Sequence, residues 1–134
     1  MPRATTTKAT SRPKRESAIV RDVVLAFIRV HILHHAAETP IFGLEMMEEL
    51  RRHGYGIGPG TLYPLLHGLE ASGILKSTQA LVDGKSRRYY RTTKVGDRAL
   101  GELRDKIAEL AEETGSHRQR SESPARNPRH YCKT

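Results

Sequence analysis

Cysteine is almost missing from the 134 residues: Cys132 stands alone near the carboxy end. One cysteine excludes an internal disulfide framework and a cysteine-based zinc finger, and the expected setting is a reducing cytoplasm. Tryptophan is absent and phenylalanine occurs twice, so a pocket for stacking a flat aromatic molecule has little to be built from. No apolar run approaches the roughly 20 residues of a bilayer span, and no signal-type stretch directly follows the basic opening MPRATTTKATSRPKRES. The chain is expected to be soluble and unsecreted. Also missing are a glycine-rich phosphate loop of either common type, a nucleophile elbow, and an HExxH or paired-acid arrangement, so no enzyme is indicated. GIGPG, at 56–60, is only superficially a phosphate loop, because it opens a short helix with no strand before it.

Positive charge is what the chain has in excess, +8 overall, and its distribution matters more than its sum. Residues 1–16 and 117–134 each hold five Lys/Arg and one Glu, whereas residues 17–116 hold thirteen of each sign. The central domain is neutral, and both ends, rich in Ser, Thr, Pro and Arg, read as disordered basic arms. Within the domain, residues 38–50 carry four Glu and no Lys/Arg, while residues 76–98 carry seven Lys/Arg against two Asp. One edge is basic, and a polyanion suits it.

Periodicity supplies the elements. Ser17 to Ala37 forms a long helix with two adjacent apolar stripes, Ile19/Val23/Phe27/Val30 and Val20/Val24/Ile28/Ile32, more surface than one neighbour covers. Thr39-Pro40 breaks the chain. Gly43 to His53 is a short helix with Leu44, Met47 and Leu50 inward, ended by Gly54. Leu62, Leu65, Leu66 and Leu69 then repeat at helical spacing up to Gly73. Pro64 admits two starts for this helix: Thr61 as cap, with Pro64 in the first turn, or Pro59 as first residue, with the ring of Pro64 set against Gly60. Ile74 to Val82 and Arg87 to Thr92 read as strands around an Asp83-Gly84 hairpin turn, with Tyr90 facing the core. Thr93 can cap a last helix from Lys94 to about Glu113, whose Gly96, Leu100, Leu103, Ile107 and Leu110 make a coiled-coil seam.

Helix, helix, turn, helix and basic hairpin is the order of a winged helix-turn-helix, mainly α with a small β-hairpin. Such a domain sets the start of a short helix in the major groove of double-stranded DNA and its wing on phosphates. Opposite the leucine face lie Gly60, Thr61, Tyr63, Pro64 and His67. The seam and the over-apolar first helix together point to a homodimer through Val20, Val24, Phe27, Leu100, Leu103, Ile107 and Leu110, although packing within one chain would use the same residues. The expected organisation is a basic arm (1–16), a winged domain (17–93), a dimerisation helix (94–114) and a basic tail (115–134).

The segments PIFGLEMMEELRRHGYGIGPGTLYPLLHGLEASGIL and DGKSRRYYRTTKVGDRALGELR resemble the PadR-like transcriptional regulators: the first their S/G-P-G-T-L-Y-P signature, the second their wing and the start of the dimerising helix. The resemblance implies a homodimeric DNA-binding repressor, with Gly60, Thr61, Tyr63 and Pro64 facing DNA and Lys85, Arg87 and Arg88 in the wing. It also implies release by an effector, since related regulators bind aromatic molecules between subunits. Thr92 departs from the leucine usual before the capping threonine, and the long carboxy-terminal effector domain of larger members is absent.

Bland readings stand beside these. Tyr63 can be a half-buried packing residue, and Arg87 and Arg88 a solvated strand edge that discourages aggregation. In RVHILHHAAE, His31 and His35 share a helix face, a spacing that suits zinc or a similar divalent ion, with His53 as a further ligand. Histidines near a helix end also serve the helix dipole and its free carbonyls. A metal-responsive repressor and a winged-helix module that binds protein are therefore the alternatives to an effector-released repressor.

Overall fold

A computed structural model describes residues 14–120, so most of both basic arms lies outside the described residues. Seven elements follow in order: α1 (Lys14–Glu38), β1 (Ile41–Phe42), α2 (Gly43–Arg52), α3 (Pro59–Ala71), β2 (Leu75–Val82), β3 (Lys85–Thr92) and α4 (Lys94–Arg120). The outer helices exceed their expected bounds, α1 beginning at Lys14 and α4 running to Arg120. The three strands form one antiparallel sheet in the order β1-β3-β2.

The core forms where α1, α2 and α3 meet the sheet. Ile28, Ile32 and Ala36 of α1 pack with Met46, Met47 and Leu50 of α2, Leu62 and Leu66 of α3, and Ile41, Leu75 and Tyr90 of the strands. Tyr90 is 2% exposed, as strand alternation requires. Leu44 corrects the expected inward face of α2, because Met46 takes the inward place and Leu44, in the first turn, is exposed.

Glycines end both short helices. The amides of Gly54 and Tyr55 bond to the carbonyls of Arg51 and Leu50, and those of Gly73 and Ile74 to Glu70 and Leu69. Each is a Schellman motif with its glycine at positive φ. Of the two possible starts of α3 the structure has the second: Gly58 is the cap residue, Pro59 opens the helix and Pro64 lies inside it. Pro64 therefore offers no N–H to the carbonyl of Gly60, and both residues are exposed. At the hairpin, Val82 pairs with Lys85 across Asp83 and Gly84, both at positive φ, the geometry of a type I′ turn.

The start of α4 is anchored by hydrogen bonds to the preceding strand and turn, and Arg104, further along, meets His34 of α1 at 3.3 Å. Thr93 accepts the amide of Gly96 at 3.1 Å and donates its hydroxyl to the carbonyl of Gly73 at 2.6 Å. Thr92, in the unusual position, donates to the carboxylate of Asp97. Of the residues expected at the dimer seam, Leu100 is buried within the chain and Val24 is partly buried against the core. The cause is local: the first turns of α4 lie against α1 and β3, and Val24 lies one turn before Ile28. Val20, Phe27, Leu103, Ile107 and Leu110 remain exposed, at 37% to 54%.

Candidate nucleic-acid interface

β1 is two residues long, and it organises the basic face. Phe42 pairs with Tyr89 of β3, and the two rings meet edge to face at 5.5 Å. The guanidinium of Arg87 then lies over the Phe42 ring, 4.6 Å from its centre. A cation held on an aromatic face keeps its charge while losing rotamer freedom, so Arg87 is presented in a fixed place.

Directly after β1, Gly43 opens α2 beneath the ring of Tyr63. A Cβ on Gly43 would stand 2.7 Å from Tyr63 Cε1 and 2.8 Å from its hydroxyl oxygen. The packing reading of Tyr63 describes one side of the ring, which covers Gly43, while 39% of the residue remains exposed. His67, one turn further along α3, has its ring 6.5 Å from that of Tyr63. Gly43→Ala should therefore cost about 1 to 2 kcal/mol, and much less in a Tyr63→Ala background, where the ring no longer obstructs the methyl. A double-mutant cycle of urea unfolding checks this, and equal costs in the two backgrounds would contradict the contact.

Phe42, Gly43, Leu44, Tyr63, His67, Ser86, Arg87, Arg88 and Tyr90 line one groove of about 340 Å³ between the start of α2, the outer face of α3 and the wing. Four of the expected DNA-facing residues, Tyr63, His67, Arg87 and Arg88, are thus brought together. The others lie apart: Gly60 and Pro64 are exposed on the first turns of α3, and Lys85 is exposed at the hairpin tip. Thr61 lines a different groove, with Arg21, His53 and Tyr55. Phe42, Gly43 and Leu44 were not among the expected DNA-facing residues, Leu44 having been read as inward. Their sequence signal is only the short PIFG stretch after the break, since their role depends on pairing with a strand far along the chain.

The expected metal ligands also converge. Donor atoms of His31, His35 and His53 lie within 4.8 Å of one another, where the end of α1 meets the end of α2. Glu49, which sequence reasoning did not single out, places Oε2 4.0 Å from His35 Nε2 and 3.8 Å from His53 Nε2. Burial lowers the pKa of His31, helped by His53, His35 and His34. Burial likewise lowers that of His35, with His34 adding to the shift and Glu49 opposing it.

Three helices, a three-stranded sheet and a basic hairpin beside an exposed helix face define a winged helix-turn-helix protein. The family model of the PadR-like transcriptional regulators matches residues 32–102. Transcriptional regulator Rv3488 of Mycobacterium tuberculosis is 52% identical over 94 residues, which cover 70% of this chain and 88% of that protein. The crystal structure of a PadR family transcriptional regulator from Eggerthella lenta has a TM-score of 0.60 and 33% identity, over 81% of this chain and 99% of that one. A PadR-like regulator from Bacillus cereus shares the fold, with a TM-score of 0.64 at 22% identity over 76% of this chain and 97% of its own. The chain belongs to the PadR-like family: it is a transcriptional regulator, not an enzyme.

Proposed function

We propose that this regulator is a homodimeric repressor that binds a two-fold DNA operator. One observation carries the reading: Tyr63, His67, Arg87 and Arg88 border a single groove between α3 and the wing. An exposed helix face with two arginines beside it matches what DNA requires, base edges in the major groove and phosphates on either side. The exposed apolar residues of α1 and α4 support the two-fold dimer. Ile19, Val20, Val23 and Phe27 on one helix, with Leu103, Ile107 and Leu110 on the other, are more apolar surface than a monomer leaves in water. Repression is by occupancy of the operator. Release requires an effector that binds the DNA-competent and incompetent dimers with different affinity.

Fluorescence anisotropy with the DNA upstream of the regulator's own gene and with an unrelated duplex, each over a salt series, tests the reading. The upstream DNA should bind about a thousandfold more tightly, with a steep salt slope. Equal and weak binding to both would mean that the basic arms alone supply the affinity, and shallow or absent binding would favour a protein-binding module.

A further inference from the structure

Three imidazoles on two helices meet beside one carboxylate. His31 and His35 lie on one face of α1, and their rings stack at 6.2 Å. His53 comes from α2, where it is the residue at the helix end, immediately before Gly54. Its ring lies 4.9 Å from that of His31 and 6.2 Å from that of His35. Glu49, one turn back on α2, gives one carboxylate oxygen to Arg52 at 2.9 Å and turns the other toward His35 and His53.

The usual role of such histidines is to cap helix carbonyls or serve the helix dipole. His35 stands in the last turn of α1, yet its Nε2 caps no carbonyl: it is buried, makes no hydrogen bond among the described residues, and faces the cluster. A buried nitrogen with no hydrogen bond is costly unless something binds it. We propose that His31, His35 and His53 bind a divalent transition-metal ion such as zinc, with the Glu49 carboxylate neutralising its charge. Imidazole is a good ligand for zinc, cobalt and nickel, and the fourth position is open to water or Glu49.

Distance supports the assignment. Nitrogens around a tetrahedral zinc lie about 3.3 Å apart, given bonds near 2.0–2.1 Å. The donor atoms here lie within 4.8 Å of one another, so small side-chain rotations close the site.

The position gives the ion a regulatory use. α1 carries the exposed apolar residues assigned above to the dimer, and His53 ends the helix before the Gly54–Gly58 turn into α3. An ion joining His53 to α1 fixes the recognition helix relative to the dimer interface. This second step rests on the DNA-binding reading; metal binding itself does not.

The experiment uses the full chain in two readouts. Cobalt titration followed by ligand-field absorption, with zinc competition by calorimetry, should give one ion per chain. His31→Ala, His35→Ala and His53→Ala should each weaken binding at least a hundredfold, and Glu49→Gln about tenfold to a hundredfold. His34→Ala tests a second grouping, His34 with His35 and Glu38, and should leave binding intact. So should a triple His117→Ala, His130→Ala, Cys132→Ala variant, which removes the donors of the tail. Wild-type binding by His53→Ala, or loss of binding in the His34 or tail variant, overturns the site. In the second readout, saturating zinc should change affinity for operator DNA at least tenfold in the wild type and not in His53→Ala. Metal binding without that change refutes the regulatory step and leaves the site standing. Failure to bind DNA at all refutes the reading of function while the cobalt result still decides the site.

Discussion

Gly96→Ala should destabilise the fold by about 2 to 3 kcal/mol, lowering the melting temperature by roughly 10 °C or more. A Cβ at Gly96 would stand 2.3 Å from the carbonyl oxygen of Ile74. That carbonyl cannot retreat easily, because it accepts the amide of Thr93 at 3.0 Å. The Thr93 hydroxyl in turn holds the carbonyl of Gly73. The amino end of α4 is therefore seated on the junction between α3 and β2, with glycine as the spacer, and a methyl group must lift it off. Gly101→Ala, in the same helix with no atom near its would-be Cβ, is the control: alanine's helix propensity should make it neutral or about 1 kcal/mol stabilising. Thermal unfolding of the two variants decides. Equal effects would mean that the contact with Ile74 is not what the geometry implies.

If the exposed end of α4 forms the proposed dimer seam, Ile107→Glu combined with Leu110→Glu should yield a monomer and lower operator affinity about a hundredfold or more. Both residues are exposed on the part of α4 beyond Leu100, where residues 101–115 are exposed throughout. Two charges in a buried apolar seam are costly without partners. Once the half-sites are unlinked, each winged domain binds alone and the effective concentration of the second is lost. Sedimentation should show a monomer, and anisotropy should show weak binding to one half-site. An intact dimer in this variant would place the interface elsewhere.

Much of this fold was legible because its signals are local. The leucine face of α3, the Asp83-Gly84 turn, the Thr93 cap and the inward Tyr90 each follow from spacing or turn chemistry within a few residues. What escaped depends on contacts between distant segments. β1, at two residues, is shorter than any periodic pattern and exists because β3 pairs with it. Leu44 and Leu100 both fit an apolar repeat, and only packing decides that the first is exposed and the second buried. The candidate interface divides in the same way. Tyr63, His67, Arg87 and Arg88 were readable as positions on the outer face of α3 and on the wing, whereas the Phe42 ring that holds Arg87 and the Gly43 surface beneath Tyr63 required the assembled sheet. In the histidine cluster, i to i+4 spacing joins His31 to His35, but the approach of Glu49 is a tertiary event.

The most direct test of the DNA-binding account is the salt slope of operator binding for the wild type and for Arg87→Ala/Arg88→Ala. If both guanidinium groups rest on phosphates, log affinity should fall with log salt less steeply in the variant, by about 2 units of slope. Binding at low salt should weaken across sequences. An unchanged slope and affinity would show that the wing does not touch DNA, and would contradict the orientation on which the functional reading depends.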